Sequence, residues 1–349
     1  MRRRDALRLL GATALPLLAR PAWAAQATEP PPLQRGVGLG LFSEDPLFSY
    51  AELLREIREL GTTHVALTVA CYQEHARSTS IYLHPRFSPP DLTVARTLRE
   101  AREAGLKVMV FPIVRLDHPR SDKEWRGTLA PENPAAWWQS YETMMVHLAQ
   151  LSAREGAAVF SVGSELSTLD TARERPRWAR LVEKIRREFR GLLTYSGNWD
   201  HYQDVGMYEH VDLAGMCAYF PLADRGYRAP ADMDTLIAAW RKKRSELEEF
   251  GRRVGRPLLL TEVGYLSQRG AAAWPWNEGA SEPIDLEDQR RCYQAFAEVW
   301  TGAAALRGVY FWNYYGWGGR ISRGYTPRHK PAGQEIERSF QAESARPAL

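Results

Sequence analysis

Residues 91–114 read DLTVARTLREAREAGLKVMVFPIV. As far as Ala104, apolar side chains recur three or four positions apart with charged ones between them, which is typical of an amphipathic helix. Gly105 then ends the pattern, as glycine commonly does where a helix stops. Residues 107–114 are almost all apolar, as expected of a strand that is covered on both faces. This stretch predicts a helix followed by a buried strand, the repeating unit of an α/β fold.

The same alternation of apolar run and amphipathic stretch recurs about eight times along the chain. It is typical of a parallel sheet wrapped by helices. The predicted strands occupy residues 36–42, 63–70, 107–114, 158–162, 192–196, 212–216, 257–261 and 308–312. The predicted helices occupy residues 50–60, 91–104, 134–155, 177–189, 235–250 and 286–301, with a weaker one near 202–209 and a last one starting at Pro331.

Eight strand–helix units in one domain predict a single (β/α)8 barrel, the TIM-barrel architecture. A doubly wound open sheet is the alternative, and it would require a glycine-rich phosphate loop after the first strand. The glycines of GVGLG at 36–40 lie within the predicted strand instead, which argues against a nucleotide-binding loop.

Length and composition indicate one large domain. The chain has 349 residues, of which 44% are hydrophobic and 25% charged, which suffices for one core and not obviously for two. We predict an export signal at residues 1–24, a linker at 25–35 that contains three consecutive prolines, a barrel at 36–340 and a C-terminal tail at 341–349.

The N-terminus has the features of an export signal. MRRRDALRLL places a basic cluster before an apolar stretch that runs to Leu18, and Ala22-Trp23-Ala24 puts small residues where a signal peptidase reads them. RRDALR at 3–8 resembles the twin-arginine signal. The apolar stretch is shorter than the ~20 residues that span a bilayer as a helix. We therefore expect a cleaved, exported protein in the periplasm or outside the cell, with no membrane association after cleavage.

The net positive charge belongs to that signal. The whole chain carries a formal charge of +4, and cleavage after Ala24 would leave 41 basic and 41 acidic residues. A balanced mature chain gives no reason to expect a nucleic-acid partner or an anionic membrane surface.

Cysteines and histidines show no pattern of a metal or cofactor site. Cys71, Cys217 and Cys292 cannot all pair, and none belongs to a CxxC spacing. We interpret them as small buried apolar side chains, with one disulfide left open as an alternative in an oxidising compartment. The eight histidines include no HExxH pair, so we expect no metal and no cofactor.

Two glutamates directly follow predicted buried strands. Glu165 stands in VGSELS at 162–167, after the fourth strand, and Glu262 in LLLTEVG at 258–264, after the seventh. Catalytic groups of such barrels come from the C-terminal ends of strands. Retaining glycosidases pair one carboxylic acid with a nucleophilic carboxylate roughly 5 Å away. We interpret Glu165 and Glu262 as such a pair, and solvated or salt-bridged glutamates at strand ends are the plain alternative.

The surrounding residues narrow this interpretation. Short motifs occur in one order from Gly36 to about Glu335, including EWRG at 124–127, GSEL at 163–166, YSGNWD at 195–200, AYFPL at 218–222, TEVGY at 261–265 and FW at 311–312. In these motifs the chain resembles glycoside hydrolase family 113 of clan A, whose characterised members are retaining endo-β-mannanases.

The resemblance implies that Glu165 is the general acid/base and Glu262 the nucleophile. The acid then needs a raised pKa, while the nucleophile must stay ionised. One position departs from the pattern, because clan A enzymes commonly have asparagine before the acid/base, where it bonds the sugar 2-hydroxyl, and here that position is Ser164. A shorter hydroxyl reaches less far, which bears on sugar specificity more than on hydrolysis.

Five further residues are candidate sugar contacts. Tyr219, after the sixth strand, could donate a hydrogen bond to the nucleophile or line the acceptor side. Asn198 and Trp199 follow the fifth strand, where they could bind hydroxyls and stack on a ring. Trp312, at the end of the eighth strand, matches the indole that clan A barrels place under the sugar next to cleavage, and Trp125 is a loop indole suited to stacking. For each aromatic residue the alternative is plain packing.

The sequence therefore predicts an exported retaining glycoside hydrolase that acts on a β-linked polysaccharide or oligosaccharide, with β-mannan favoured by the resemblance. A catalytically weak barrel that binds carbohydrate during envelope polysaccharide assembly is an alternative from another class. A transglycosylase would use the same residues and differ only in whether water or a sugar completes the second step.

Overall fold

The computed structural model describes residues 33–224, 230–279 and 281–345, and the expected export signal at 1–24 lies outside them. Within these ranges eight parallel strands close into a barrel in chain order, β1 to β8. The strands are β1 (Gln34–Gly40), β2 (His64–Gln73), β3 (Lys107–Leu116), β4 (Val159–Ser164), β5 (Leu192–Gly197), β6 (Leu213–Cys217), β7 (Leu258–Val263) and β8 (Leu306–Phe311).

Seven α-helices accompany the strands in the described ranges. They are α1 (Ala51–Glu59), α2 (Asp91–Glu103), α3 (Pro134–Arg154), α4 (Arg175–Glu188), α5 (Met233–Val254), α6 (Leu286–Trp300) and α7 (Pro331–Ser344). The first strand pairs with the last, in a register that sets Gln34 opposite Gly308. That pairing closes the sheet, so the predicted TIM barrel is confirmed and the open sheet is excluded.

Side chains alternate between the two faces of each strand, as the period of two requires. In β2, Val65 and Leu67 pack in the layer between sheet and helices, whereas Ala66 belongs to a second cluster that fills the barrel. In that interior the Tyr310 hydroxyl donates a hydrogen bond to Gln34 Oε1 at 2.5 Å. The interior is therefore a packed core, and a cavity for a ligand has to form at an end of the barrel.

Helix α4 shows how the outer layer is held. Its buried residues Trp178, Leu181, Val182 and Ile185 follow the i, i+3, i+4, i+7 spacing of one helix face. Burying each such side chain stabilises the fold by about 1.5–3 kcal/mol before the cost of ordering it. The Trp178 indole also donates to the Leu169 carbonyl at 2.8 Å, which ties the helix to the chain that follows β4.

Several elements and boundaries differ from the sequence prediction. The prediction of a weak helix near 202–209 is wrong, because the structure has two short 3-10 helices there, Tyr202–Asp204 and Tyr208–His210. Between them Gly206 packs so closely on the chain at Ala172 that a Cβ would lie 2.4 Å from its Cα. Strand β1 begins at Gln34, inside the expected linker, and α7 continues to Ser344, beyond the expected end of the barrel at 340.

The cysteines are free and buried, in agreement with their interpretation as small apolar side chains. None of the helices in the described ranges is long and apolar enough to cross a membrane.

Candidate active site

A cavity of about 760 Å³ opens where the strands end at the C-terminal face of the barrel. Seven of the eight candidate residues line it, and Ser164 does not. The lining residues are Phe42, Ile113, Arg115, Trp125, Arg126, Glu165, Asn198, Trp199, Asp200, Tyr219, Glu262, Trp276, Asn277, Glu278, Gly279, Trp312, Asn313 and Tyr325.

Glu165 comes directly after β4, where the backbone turns sharply. Its φ of 54° lies in the left-handed region, which costs a non-glycine residue roughly 1–2 kcal/mol. Two hydrogen bonds hold this turn, from the Glu165 N–H to the Ser196 carbonyl at 2.8 Å and from the Leu166 N–H to the Tyr195 hydroxyl at 2.9 Å. Strained backbone held by its surroundings is typical of functional sites.

The glycine before this turn is required by packing. A Cβ on Gly163 would lie 2.5 Å from the Tyr141 hydroxyl, which donates to the Val162 carbonyl at 2.7 Å. The GSEL motif therefore places a small residue, Gly163, where β4 packs against helix α3 and a carboxylate, Glu165, two residues later.

Arg126 forms an ion pair with Glu165 through its Nη2 and the Glu165 Oε2 atom. The side chains are 26% and 6% exposed, respectively. Arg126 begins a short 3-10 helix, Arg126–Thr128, in the loop between β3 and α3. Glu165 and Glu262 outweigh the effect of burial and raise the pKa of Arg126, so the guanidinium stays charged.

Glu262 lies within β7, one residue before its end, rather than after the strand as the sequence suggested. The Tyr219 hydroxyl donates to its Oε2 atom at 2.6 Å. Burial, and next the charge of Glu165, raise the pKa of Glu262 to about 8, while Tyr219, Arg126 and Cys217 act in the opposite direction. Burial and the nearby Glu262 raise the pKa of Tyr219, so the phenol stays a donor.

Burial and the charge of Glu165 therefore act against ionisation of Glu262, and the hydrogen bond from Tyr219 and the charge of Arg126 act for it. The donors that surround Glu262 are the groups that favour the carboxylate form that a nucleophile needs.

Ser164 lies below the floor of the cavity. It is the last residue of β4 and only 2% exposed, and its Oγ lies 4.0 Å from the Cys217 Sγ. The thiol also lies 3.1 Å from the Ser196 Oγ, which in turn contacts the Thr261 Oγ1 at 2.5 Å. Small polar side chains from β4 to β7 thus form a layer under the two glutamates, and Ser164 belongs to this layer rather than to the cavity lining.

Asn198 lines the cavity directly after β5. Its Oδ1 accepts a hydrogen bond from the Trp199 N–H at 2.9 Å, which directs its amide group. Trp199 stacks on Trp276 of the loop after β7, with ring centroids 4.7 Å apart and an interplanar angle of 25°. One face of the Trp199 indole is therefore covered by protein, which leaves its other face and its edge for a ligand.

The two remaining candidate indoles also border the cavity. Trp312 follows β8, and its backbone N–H donates to the Val263 carbonyl at 2.8 Å. A Cβ on Gly38 would lie 3.0 Å from its ring, so β1 has glycine where the indole crosses it. Trp125 packs over Gly127 in the same way, since a Cβ there would lie 2.2 Å from the indole.

Several lining residues were not singled out by the sequence patterns. They lie in loops, and no periodicity marks them: Phe42, Arg126, Asn277, Glu278 and Tyr325. The EWRG motif contains Arg126. An arginine that stands between a tryptophan and a glycine in a long loop was the only sequence signal that could have marked it as a site residue. Its pairing with Glu165 depends on how that loop crosses the barrel end, which sequence spacing does not give.

No group of three or more His, Cys, Asp or Glu side chains that could hold a metal occurs in the part of the chain that the structure describes. The groups that the cavity does offer are carboxyl groups and hydrogen-bond donors. Two carboxyl groups from different strands can serve as an acid/base and a nucleophile around one sugar ring.

The chain matches one protein family over most of its length. The sequence model of Glycoside Hydrolase Family 113 matches residues 48–320. A comparison with curated proteins found no match.

Solved structures agree with that match. The chain is similar to the GH113 β-mannanase of Alicyclobacillus acidocaldarius in complex with ManMIm, with 26% identity, a TM-score of 0.77, and coverage of 89% of this chain and 98% of that one. It shares its fold with a GH113 β-1,4-mannanase at 21% identity and a TM-score of 0.78, over 89% of this chain and 99% of that one. A GH5_18 from Streptomyces cattleya in complex with GlcNAc has the same fold at 14% identity and a TM-score of 0.62, over 91% and 82% of the two chains.

The family match covers most of the chain, and the closed barrel is the fold of the GH113 structures. The chain belongs to glycoside hydrolase family 113 and is a glycoside hydrolase.

Proposed function

We propose that this protein is a retaining glycosidase that cleaves a β-linked glycan, β-mannan first, with Glu262 as nucleophile and Glu165 as general acid/base. One observation carries the proposal: the two glutamates come from β4 and β7 and line the same cavity. A plain pair of solvated glutamates would be exposed, whereas these are 4% and 5% exposed.

In the first step the Glu262 carboxylate attacks the anomeric carbon, and Glu165 gives its proton to the departing glycosidic oxygen. A glycosyl-enzyme ester forms at Glu262. Tyr219 holds the Glu262 Oε2 atom at 2.6 Å, which fixes the carboxyl group while the bond forms.

In the second step a water attacks the same carbon and Glu165 accepts its proton, which releases the sugar and restores the Glu262 carboxylate. Two inversions at one carbon give overall retention. If a sugar hydroxyl entered in place of water, the same residues would perform transglycosylation.

β-Mannan is placed first because the Alicyclobacillus acidocaldarius structure at 26% identity is a β-mannanase. The cavity itself suits a sugar chain, since indoles at Trp125, Trp199, Trp276 and Trp312 surround the carboxyl groups. Its 760 Å³ exceeds what one monosaccharide fills, in line with an oligosaccharide substrate.

We also propose that the protein acts in the periplasm or outside the cell. The support is the N-terminal sequence, with its basic cluster, short apolar stretch and Ala22-Trp23-Ala24. Fractionation of cells that express the full chain, with mass spectrometry of the mature N-terminus, tests this location. A protein retained whole in the cytoplasm would contradict it.

The substrate is tested by incubating the mature protein with a panel of β-linked glycans, β-mannan and glucomannan foremost, and following products by mass spectrometry. We expect shorter oligosaccharides from β-mannan and none from the Glu262→Gln protein. Products longer than the starting oligosaccharides would indicate transglycosylation, and glycan binding without any product would favour a binding barrel.

Tyr219→Phe should weaken catalysis without abolishing it. The lost hydrogen bond is one that lowers the pKa of Glu262, so removing it raises that pKa and makes the carboxylate scarcer at neutral pH. We expect kcat to fall about 10- to 100-fold, with the acidic limb of the pH–rate profile moved to higher pH. A Tyr202→Phe protein, whose phenol lies outside the cavity lining, is the matched control. An unchanged profile in Tyr219→Phe would show that the hydroxyl does not act on Glu262.

Asn198→Ala should affect substrate binding more than Ser164→Ala does. Asn198 lines the cavity, whereas Ser164 is buried below its floor beside Cys217. We expect kcat/KM to fall at least about 10-fold for Asn198→Ala, because one or two hydrogen bonds to the sugar are lost. For Ser164→Ala we expect a fall of about 3-fold or less. Steady-state kinetics on mannooligosaccharides checks the order, and a larger loss in Ser164→Ala would contradict it.

A further inference from the structure

The turn that carries Glu165 is held by two consecutive residues of β5. The Glu165 N–H donates to the Ser196 carbonyl at 2.8 Å, and the Leu166 N–H donates to the Tyr195 hydroxyl at 2.9 Å. The first of these bonds joins two backbones, so it does not depend on which side chains are present. The second depends on a single side chain, the phenol of Tyr195.

The Tyr195 phenol can accept from the turn because its own hydrogen is directed elsewhere. A phenol has one O–H donor and lone pairs that accept. Tyr195 donates to the Asp170 Oδ2 atom at 2.6 Å, which leaves its oxygen to accept from Leu166. Burial, and next the charge of Asp170, raise the pKa of Tyr195, so the phenol keeps its hydrogen.

Asp170 is fully buried, and each of its carboxylate oxygens has a partner. Its Oδ2 accepts from Tyr195, and its Oδ1 lies 3.0 Å from the His201 Nε2 atom. The Gly206 N–H donates to the Asp170 backbone carbonyl at 2.7 Å, which fixes the chain at this residue. A buried carboxylate with both oxygens paired has little freedom to move, so Asp170 sets the direction of the Tyr195 hydroxyl.

This chain of contacts acts where the backbone is strained. The φ of Glu165 is 54°, in the left-handed region that residues other than glycine seldom adopt. Leu166 supplies the amide that follows Glu165, so its hydrogen bond restrains the ψ of Glu165. The ion pair with Arg126 restrains the far end of the same side chain. Catalytic groups have to be held to within about 0.5 Å, which requires both the backbone and the side chain to be fixed.

We propose that Tyr195 is a positioning residue for the general acid/base, directed by Asp170, and that it acts by holding the turn that carries Glu165. Neither Tyr195 nor Asp170 lines the cavity, so both act through another residue. The inference rests on the proposed function, since it takes Glu165 as the acid/base. The YSGNWD motif at 195–200 then serves the site twice, through its first residue and through Asn198 and Trp199 in the cavity.

A residue that positions the acid/base has a kinetic signature that a merely structural residue lacks. In a retaining glycosidase, kcat/KM reports the first step, in which Glu165 protonates the leaving oxygen. A natural glycan needs this proton, whereas an aryl glycoside with an acidic phenol leaves without it. Misplacing Glu165 should therefore slow the natural glycan and spare the aryl glycoside. A loss of folded protein would lower both rates by the same factor.

The kinetic test compares kcat/KM on a β-mannooligosaccharide and on an activated aryl glycoside. For Tyr195→Phe we expect a fall of about 10- to 100-fold on the oligosaccharide and of less than about 3-fold on the aryl glycoside. Asp170→Asn tests the contacts from their other end. It keeps a carbonyl acceptor for the phenol, so its loss should follow the same order and be smaller.

Tyr208→Phe is the matched control. Its phenol is also buried, donates to the Gly215 carbonyl at 2.8 Å and does not line the cavity. The ratio of its two kcat/KM values should equal that of wild type. An equal loss on both substrates in Tyr195→Phe would overturn the proposal, because a structural role alone gives that result. An unchanged rate on the oligosaccharide would also overturn it, since the turn would then not need the phenol.

A second measurement needs no substrate. Crystal structures of wild type and Tyr195→Phe should show the Glu165 carboxyl group displaced by about 1 Å or more in the variant, with the Glu262 carboxyl group in place. A Glu165 carboxyl group at its wild-type position would overturn the proposal. A displaced Glu165 in a protein that cleaves no glycan would retain the role of Tyr195 at this turn and remove the proposed function.

Discussion

Glu262→Gln should lower kcat on the natural glycan by at least about 10⁴-fold, because an amide cannot form the glycosyl ester that the first step requires. Glutamine has nearly the same size and shape, so the contact with the Tyr219 hydroxyl can persist and the fold should be kept. Substrate binding should change little, since the residues that surround the sugar are unaltered. The measurement is steady-state kinetics with product analysis, alongside binding of the same glycan to both proteins.

Glu282→Gln is the matched control for this substitution. Glu282 is exposed in the loop between β7 and α6 and does not line the cavity, so its removal should leave kcat near the wild-type value. If Glu262→Gln retained more than about one hundredth of the wild-type kcat, Glu262 would not be the nucleophile.

The same substitution should change how stability depends on pH. The pKa of Glu262 is raised in the folded protein, so its protonated form stabilises the fold below its unfolded pKa of about 4.3, and this contribution is lost as the pH rises through about 8. Glutamine mimics the protonated acid and does not ionise. Between about pH 5 and 8, the melting temperature of wild type should therefore fall more steeply than that of Glu262→Gln, which thermal unfolding at several pH values checks.

Glu165→Ala should separate substrates by their leaving groups. Natural glycans need a proton on the departing oxygen, so their cleavage should fall about 10³-fold or more. An aryl glycoside with an acidic phenol leaves without this proton, so its first step should be largely spared and the glycosyl-enzyme should accumulate. Azide, which needs no general base, should then release a glycosyl azide of retained configuration.

Glu174→Ala is the control for Glu165→Ala, because Glu174 lies in a 3-10 helix after β4 and outside the cavity. Equal loss on the natural glycan and on the activated aryl glycoside would show that the role assigned to Glu165 is wrong. An azide product of inverted configuration would instead show that azide attacks the substrate directly, without a glycosyl-enzyme before it.

The fold could be predicted from the sequence because parallel strands buried on both faces are almost wholly apolar. All ten residues of β2 are buried, and the apolar run in the sequence gave its position. The segment between β5 and β6 was misread as one helix, whereas Tyr202 and Tyr208 each belong to a separate 3-10 helix. The close packing of Gly206 on Ala172, which divides the segment, is a tertiary contact and leaves no local pattern.

The glutamate pair could be found because a carboxylate at the end of an apolar strand stands out, and strand order then places both at one end of the barrel. The electrostatics of the pair could not be found in this way. The ion pair between Arg126 and Glu165 and the phenol of Tyr219 on Glu262 depend on loop paths. Ser164 was expected to contact the sugar because it directly precedes Glu165 in the sequence. Its side chain faces Cys217 below the floor of the cavity.

If Glu262 is the nucleophile, it forms a covalent bond with the sugar during the reaction. The test is to mix Glu165→Ala protein with an activated aryl β-mannooligosaccharide, quench in acid and analyse the peptides by mass spectrometry. We expect one glycosyl adduct, on Glu262. Aryl glycoside cleavage without any labelled peptide, or with the adduct on another carboxylate, would contradict it.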